Sequence, residues 1–122
     1  MTDSESSTSN SASEVVELLR RLECETVAAL DRIYQLDKPT PLDCVELESG
    51  ANLTLKREDL SVVHSYKWRG SFNKISAMHE SGFTGKMVAA SAGNHAQGVA
   101  VTAKRLSLPA TIFMPRSTPL LK

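Results

Sequence analysis

Residues 65–70, which read Ser-Tyr-Lys-Trp-Arg-Gly, place a lysine between two aromatic residues. Lys67 also has the cationic residues Lys56, Arg57 and Arg69 nearby in the sequence. Burial among the rings and repulsion by these cations would both favour the neutral amine. A neutral amine can attack a carbonyl carbon and form a Schiff base, the means by which lysines hold aldehyde cofactors. On spacing alone, Lys67 fits equally a solvated lysine that begins a helix.

The second group of chemically capable residues is the run Ser-Ala-Gly-Asn-His at residues 91–95, between a predicted strand and a predicted helix. Ligands of open α/β sheets bind beyond the carboxyl ends of the strands, where such loops lie. Gly93 lets the backbone approach a ligand, and the N–H groups of the first helical turn can bind a carboxylate or phosphate. Ser91 and Asn94 add neutral hydrogen-bonding groups. An ordinary capped turn uses the same residue types, and His95 alone fits packing as well as catalysis, so both interpretations stay open.

The elements around this loop form a strand–helix–strand pattern. Residues 87–90 and 110–114 predict short apolar strands, and residues 94–106 predict a helix with one apolar face. A helix of about a dozen residues between two strands is typical of a right-handed crossover with parallel strands. The sequence therefore predicts part of a parallel α/β sheet.

The N-terminal part of the chain predicts a tail followed by an amphipathic helix. Residues 1–13 are rich in serine and threonine and contain no aromatic residue, so we expect them to be disordered. Apolar residues recur at steps of three and four from Glu14 to about Tyr34. Ser11 and Glu14 have the spacing of a capping box at the start of this helix.

Between this helix and residues 87–90, the sequence predicts a hairpin and a second helix. Extended segments are expected at residues 42–47 and 52–56, with Ser49-Gly50 as the turn between them. Helical spacing then returns, and Gly82 and Gly85 should end the helix. The apolar residues that define this helix are Trp68, Phe72, Ile75 and Met78. Lys67 is predicted at or near its N-terminus.

Composition limits the function without identifying it. The chain has 122 residues with 14 basic and 14 acidic side chains, an ordinary globular balance. Residues 1–60 contain thirteen acidic and six basic residues, whereas residues 61–122 contain one acidic and eight basic residues. The second half could suit an anionic ligand, or the halves could simply neutralise each other in the fold.

Several classes of protein and site are not indicated by the sequence. It has no apolar run of membrane-spanning length, no secretion signal, and no clustering of basic and aromatic residues that would suit nucleic acid. Cys24 and Cys44 form neither a metal-binding nor a disulfide pattern. We therefore expect a cytoplasmic protein with reduced thiols and without a metal site, a membrane partner or a nucleic-acid partner.

Three motifs together carry a family resemblance. Their order and spacing resemble the start of the threonine ammonia-lyases, also called threonine dehydratases, and residues 40–42 (Thr-Pro-Leu) resemble that family's opening segment. The motifs are Lys-Arg-Glu-Asp-Leu at residues 56–60, Ser-Tyr-Lys-Trp-Arg-Gly at 65–70 and Ser-Ala-Gly-Asn-His-Ala-Gln-Gly at 91–98. The resemblance runs from about Pro39 to Lys122, and Val63-His64 looks more like the biosynthetic than the catabolic branch.

The resemblance implies a fold and a cofactor. The fold would be the α/β fold of the tryptophan synthase β-like (fold type II) pyridoxal phosphate enzymes. Residues 14–122 would be the N-terminal part of the catalytic domain, an incomplete parallel-sheet αβα unit. Lys67 would hold pyridoxal 5'-phosphate as a Schiff base, release it to the amino group of the substrate and then remove the Cα proton. Asn94 would face the ring hydroxyl of the cofactor.

The resemblance also implies a reaction. Ser91, Gly93, Asn94 and His95 would take the substrate carboxylate. The expected reaction is the α,β-elimination of L-threonine to 2-oxobutanoate and ammonia, the first step of isoleucine biosynthesis, with L-serine as a possible second substrate. Related serine racemases have a proton-carrying serine where this chain has Ala92, so dehydration is favoured over racemisation. The complete enzyme is expected to be a homo-oligomer.

The sequence departs from the family in two respects. Its six glycines are all isolated, so the glycine run that cradles the cofactor phosphate in the family is not among these residues. Ser117 or Thr118, followed by Pro119, predicts a helix that Lys122 would cut short. We accordingly expect a truncated chain that binds the cofactor weakly and turns over little.

Three alternative functions stay open at this point. The chain could be a non-catalytic remnant of such an enzyme, or it could be another pyridoxal phosphate-dependent lyase or racemase acting on serine. A phosphate- or nucleotide-binding module comes from a different class. Against the last stands the lack of a G-x-G-x-x-G or P-loop pattern in the sequence.

Overall fold

The computed structural model describes residues 11–120, and the chain divides into two compact units, Met1–Leu30 and Asp31–Lys122. The helices and strands predicted between residues 12 and 114 are all present, with ends within two residues of those expected. In chain order, the elements are α1 (Ala12–Ile33), β1 (Leu42–Glu46), β2 (Asn52–Lys56), a 3₁₀ helix (Glu58–Leu60), α2 (Lys67–Glu80), β3 (Met87–Ala90), α3 (Asn94–Arg105) and β4 (Ala110–Phe113).

Helix α1 begins with the predicted capping box. The Ser11 backbone N–H donates to Glu14 Oε2 at 2.8 Å, and the Glu14 backbone N–H donates to Ser11 Oγ at 3.4 Å. This reciprocal pair satisfies two of the backbone donors that a helix start leaves open. Of the predicted disordered tail, residues 1–10 lie outside the described residues, whereas residues 12–13 belong to α1.

Strands β1 and β2 form an antiparallel hairpin, as predicted, with Leu42 opposite Lys56 and Glu46 opposite Asn52. The turn between them depends on Gly50, whose φ of 79° lies in the left-handed region that glycine adopts without strain. Almost every residue of the hairpin is exposed. The hairpin therefore buries little apolar surface of its own.

Strands β3 and β4 are parallel, with Met87 opposite Ala110 and Ala90 opposite Phe113, which confirms the predicted pairing. One buried cluster joins these strands to α2 and α3. It consists of Ile75, Val99 and Leu108, with the partly buried Met87, Ala89 and Leu106 packed against it. The periodicity seen in the sequence thus corresponds to the buried faces of both helices.

The structure tests the predicted end of α2 but not the whole of the helix predicted after β4. Helix α2 ends just before Gly82, whose φ is 93°. The Phe83 N–H donates to Met78 O at 3.0 Å, and the Gly82 N–H donates to His79 O at 2.9 Å. After β4, the backbone N–H of Thr118 donates to Pro115 O at 3.0 Å in a turn. The helix predicted from Pro119 onward would continue into residues 121–122, which lie outside the described residues.

Candidate active site

Lys67 is the first residue of α2, as the sequence predicted. It is exposed, as is Tyr66, whereas Trp68 is 0% exposed. Successive residues at a helix start point about 100° apart, so the three neighbours cannot share one surrounding. The expected burial of Lys67 between two aromatic rings is therefore wrong, and its amine is open to solvent and to ligands.

The segment that carries Lys67 is fastened by an ion pair that sequence reasoning missed. Arg69 donates from Nε to Glu58 Oε2 and from Nη2 to Glu58 Oε1, each at 3.0 Å, and Thr40 Oγ1 donates to Glu58 Oε1 at 2.7 Å. The Arg69 and Glu58 side chains are only 19% and 16% exposed. Partial burial by itself would raise the pKa of the Glu58 carboxyl, but the hydrogen bonds from Arg69 and Thr40 outweigh it and hold the pKa below its ordinary value.

Aromatic rings and a serine complete this support. The Arg69 guanidinium lies 4.8 Å from the centroid of the Trp68 ring and 5.7 Å from that of Tyr34. Ser61, which is 2% exposed, has its Oγ 2.7 Å from Glu58 O and accepts from the Ser65 N–H at 3.1 Å. The loop between the 3₁₀ helix and α2 is thus held from inside by short-range hydrogen bonds.

The other basic residues near Lys67 in the sequence are paired elsewhere. Arg57 binds both oxygens of Asp59, at 2.9 and 2.8 Å, and also contacts Asp43, and these hydrogen bonds raise the pKa of Arg57 further above its ordinary value. The same contact with Arg57 holds the pKa of the Asp59 carboxyl below its usual range. Lys56 Nζ donates to the backbone oxygen of Thr40. The predicted set of cations around the lysine is therefore tied to acidic and carbonyl groups.

The 91–95 loop follows the carboxyl end of β3, and its last two residues, Asn94 and His95, begin α3. The Ser91 N–H donates to Phe113 O at 3.0 Å, so the start of the loop is joined to the end of β4. Gly93 is the N-cap of α3, its N–H donates to Ser91 Oγ at 3.3 Å, and a Cβ at Gly93 would meet nothing within 4 Å. Asn94 is partly buried and His95 is exposed. The backbone around Gly93 is thus open to a ligand.

A solvent-open cavity of about 460 Å³ lies where β3 and β4 end. It is lined by Ala90, Ser91, Ala92, Phe113, Met114 and Pro115. This is the side of a parallel sheet on which α/β proteins bind ligands. The position predicted from the strand–helix–strand pattern is therefore where the structure has a cavity.

Helix packing brings the two candidate segments close together. A Cβ built at Gly98, the fifth residue of α3, would lie 3.0 Å from Trp68 Cα, next to Lys67 in the chain. Adding one Cα–Cα step and one turn of helix, the backbones of Lys67 and Asn94 are at most about 15 Å apart. Lys67 and the 91–95 loop thus belong to one region of the molecule.

Buried polar atoms without partners lie in the Lys67 segment and in α3. Among the described residues, Ser65 Oγ, Trp68 Nε1 and Gln97 Oε1 have no hydrogen-bond partner. Such groups cost free energy in a folded protein unless a ligand, water or further chain satisfies them. An exposed amine, the N-terminus of a helix and unpaired polar atoms are groups that fit an aldehyde-bearing anionic cofactor. A cradle for its phosphate is not evident, because no two glycines are adjacent in the sequence.

The described part of the chain contains neither a metal-binding cluster nor a membrane-spanning helix. Residues 11–120 contain no group of three or more His, Cys, Asp or Glu side chains placed to hold a metal ion. None of the helices in these residues is long and apolar enough to cross a membrane.

Comparison with known proteins gives consistent relatives. A family model described as "Pyridoxal-phosphate dependent enzyme" matches residues 33–122. The biosynthetic L-threonine dehydratase IlvA of Staphylococcus aureus is 47% identical over 94 residues, covering 75% of this chain and 22% of the relative. The mitochondrial threonine dehydratase of Schizosaccharomyces pombe is 43% identical over 93 residues, covering 74% of this chain and 16% of the relative. The chain thus spans about a fifth of the length of these relatives.

Solved structures show the same relationship. The processed form of threonine deaminase isoform 2 from Solanum lycopersicum has a TM-score of 0.72 and 38% identity, covering 84% of this chain and 29% of that one. A pyridoxal 5'-phosphate-dependent aspartate racemase has a TM-score of 0.73 and 28% identity, covering 81% of this chain and 33% of that one. The predicted fold class is confirmed by these matches.

Proposed function

Because the chain belongs to the family of pyridoxal-phosphate dependent enzymes, we propose that it forms the N-terminal part, residues 14–122, of a dehydratase catalytic domain that acts on L-threonine and, secondarily, L-serine. The observation that carries this proposal is the pairing of the exposed Lys67 at the start of α2 with the open 91–95 loop at the start of α3. The threonine dehydratases among its relatives support the reaction class.

Lys67 has two roles in this proposal. Its Nζ is the covalent attachment point for pyridoxal 5'-phosphate, and after the substrate amino group has replaced it, the same Nζ removes the Cα proton. When bound, the cofactor supplies the electron sink for the charge left on Cα. Exposure of Lys67 makes both roles sterically possible, while Glu58 and Arg69 fix the backbone on either side.

The 91–95 loop orients the substrate in this proposal. Backbone N–H groups at the start of α3, together with Ser91, Gly93 and His95, bind the carboxylate, for which a helix N-terminus is electrostatically suited. The Asn94 amide faces the ring hydroxyl of the cofactor. Loss of the β-hydroxyl as water gives an enamine, and hydrolysis of this product gives 2-oxobutanoate and ammonia.

Racemisation is the second candidate reaction, because one structural neighbour is an aspartate racemase. Ala92 lines the cavity at the strand ends, and its methyl group cannot carry a proton. By the family resemblance, the related serine racemases have a serine at that position. Ala92 therefore favours elimination.

Location and assembly belong to the proposal as well. We propose a cytoplasmic enzyme that is a homo-oligomer when complete and whose partner is a small amino acid. The Schizosaccharomyces pombe relative is named as mitochondrial, which differs from the compartment that we propose.

The test is an absorbance titration of the purified 122-residue chain with pyridoxal phosphate. An absorbance band of the bound cofactor should appear in the wild type, persist in Lys74→Ala and disappear in Lys67→Ala. Lys74 serves as the control because it is an exposed lysine on the same helix that does not adjoin the 91–95 loop. L-threonine should then perturb the band, and formation of 2-oxobutanoate is measured in the same sample.

Three results would count against the proposal in different ways. Equal bands in the wild type and Lys67→Ala would refute Lys67 as the attachment point. A Lys67-dependent band without any keto acid would favour the non-catalytic remnant. D-amino acid from the L-isomer would favour the racemase.

A further inference from the structure

Gly98 is a glycine in the interior of α3, where alanine would ordinarily be the better helix former. A Cβ at this position would lie 2.5 Å from Ser71 Oγ, 3.0 Å from Trp68 Cα and 3.3 Å from Trp68 N. The serine oxygen can rotate away, but the backbone of a buried helix cannot. The absent side chain therefore sets how closely α3 approaches α2.

The crossing is rigid on both sides. Trp68 is 0% exposed, and its backbone oxygen accepts from Ser71 Oγ at 3.0 Å. On the other helix, Thr102, also 0% exposed, donates from Oγ1 to Gly98 O at 2.7 Å. Extra volume at Gly98 must then be absorbed by moving one helix against the other, since interiors are close-packed.

The position of this crossing relates it to the site. Trp68 directly follows Lys67, and Gly98 comes one helical turn after the 91–95 loop. A displacement at the crossing therefore passes to both segments within a few ångströms of chain.

We propose that Gly98 is a positioning residue that fixes the distance between Lys67 and the 91–95 loop. This inference rests on the proposed function, because it takes these two segments as the covalent and carboxylate halves of one site. Displacing a reacting group by about 1 Å can cost a hundredfold in rate, so a small shift at the crossing is sufficient.

Three variants test the proposal. Gly98→Ala adds the obstructing methyl group. Gly98→Ala with Ser71→Ala removes the nearest clash, the one at 2.5 Å, and leaves the backbone contact. Gly70→Ala makes the same chemical change in α2, where a Cβ would meet nothing within 4 Å, and serves as the control for fluorescence and stability.

The first readout needs no cofactor. The chain has one tryptophan, Trp68, so intrinsic fluorescence reports directly on the crossing. Emission should shift to the red in Gly98→Ala, stay unchanged in Gly70→Ala and stay shifted in the double variant, because the contact with the Trp68 backbone remains. An unshifted emission maximum in Gly98→Ala would overturn the claim that Gly98 sets the approach of the helices.

The second readout separates positioning from general damage. In Gly98→Ala, the Lys67-dependent band with pyridoxal phosphate should persist, while the L-threonine concentration that half-perturbs it should rise about tenfold or more and stay raised in the double variant. Loss of the band and of the threonine effect in equal measure, or an unchanged threonine concentration, would overturn the proposal. Absence of the band in the wild type would instead refute the proposed function, and the Gly98 proposal with it.

Discussion

The two segments of the proposed site are held in place by different forces. The Lys67 segment depends on charge and hydrogen bonding, with Arg69, Glu58 and Thr40 in one connected group. The 91–95 loop depends on β3, β4 and α3, which rest on the apolar cluster around Ile75 and Val99. A cofactor attached to one segment and a substrate held by the other would therefore respond to different perturbations.

This difference has a physical consequence. Burial of apolar surface is insensitive to pH, whereas a carboxylate with a lowered pKa stabilises the fold only while it is ionised. Acid should loosen the Lys67 segment before it affects the strands beneath the loop. Removal of a buried methyl group should do the reverse.

The largest expected effect comes from breaking the apolar side at Ile75. Ile75 is 3% exposed, so Ile75→Ala should lower the free energy of unfolding by about 3 kcal/mol through lost transfer energy and a residual cavity. Urea denaturation measures this change. Val88→Ala is the control, since Val88 is 63% exposed, and it should change stability by about 0.5 kcal/mol or less. Similar losses in both variants would mean that the cluster does not support the strands as argued.

The next effect concerns the charged side, at Glu58. Glu58→Gln keeps the shape but removes the charge that Arg69 and Thr40 contact, and it should cost about 1 to 2 kcal/mol at neutral pH. The pKa of Glu58 is lowered in the fold, so its contribution is complete above the ordinary value of 4.5 and is lost as the pH falls below it. The two proteins should therefore differ in stability at neutral pH and converge as the pH falls well below 4.5, as urea denaturation at a series of pH values would show.

Glu80→Gln is the matched control for this experiment. Glu80 forms an ion pair with Arg32 at 2.8 Å, but its side chain is 51% exposed, so the change should be small at every pH. A gap between wild type and Glu58→Gln that stays constant with pH would contradict the assigned role of the Glu58 charge.

The two sides also differed in how far the sequence predicted them. The strands, helices and apolar faces followed from periodicity, because Trp68, Phe72 and Ile75, for example, recur at the spacings that one face of α2 requires. The Ser11–Glu14 capping box followed from residues three apart. The resemblance provided the family, which the comparisons confirm.

Contacts distant in sequence were not predictable in this way. Glu58 meets Arg69 eleven positions away and Thr40 eighteen positions away, and no local pattern pairs them. Glu58 within the motif Lys-Arg-Glu-Asp-Leu was the sequence feature that could have indicated these contacts. The expectation that Lys67 is buried was wrong because adjacent residues of a helix point in different directions. The helix turns Trp68 inward and leaves Lys67 exposed.

The smallest expected effect sharpens the comparison within the charged side. Arg69→Lys keeps the positive charge but loses the two-pronged contact with Glu58 and the planar group over Trp68 and Tyr34. A loss of about 0.5 to 1 kcal/mol is expected, because a lysine ammonium replaces neither feature.

Urea denaturation of wild type, Arg69→Lys, Glu58→Gln and the double variant gives the coupling between the two residues. If the planar fork matters, the cost of Arg69→Lys should nearly vanish in the Glu58→Gln background, leaving only the aromatic contribution. Arg32→Lys, at a pair whose carboxylate is half exposed, is the control and should cost less. Equal losses in the wild-type and Glu58→Gln backgrounds would assign the effect to the rings alone, and the Lys67 segment would then be held by stacking more than by charge.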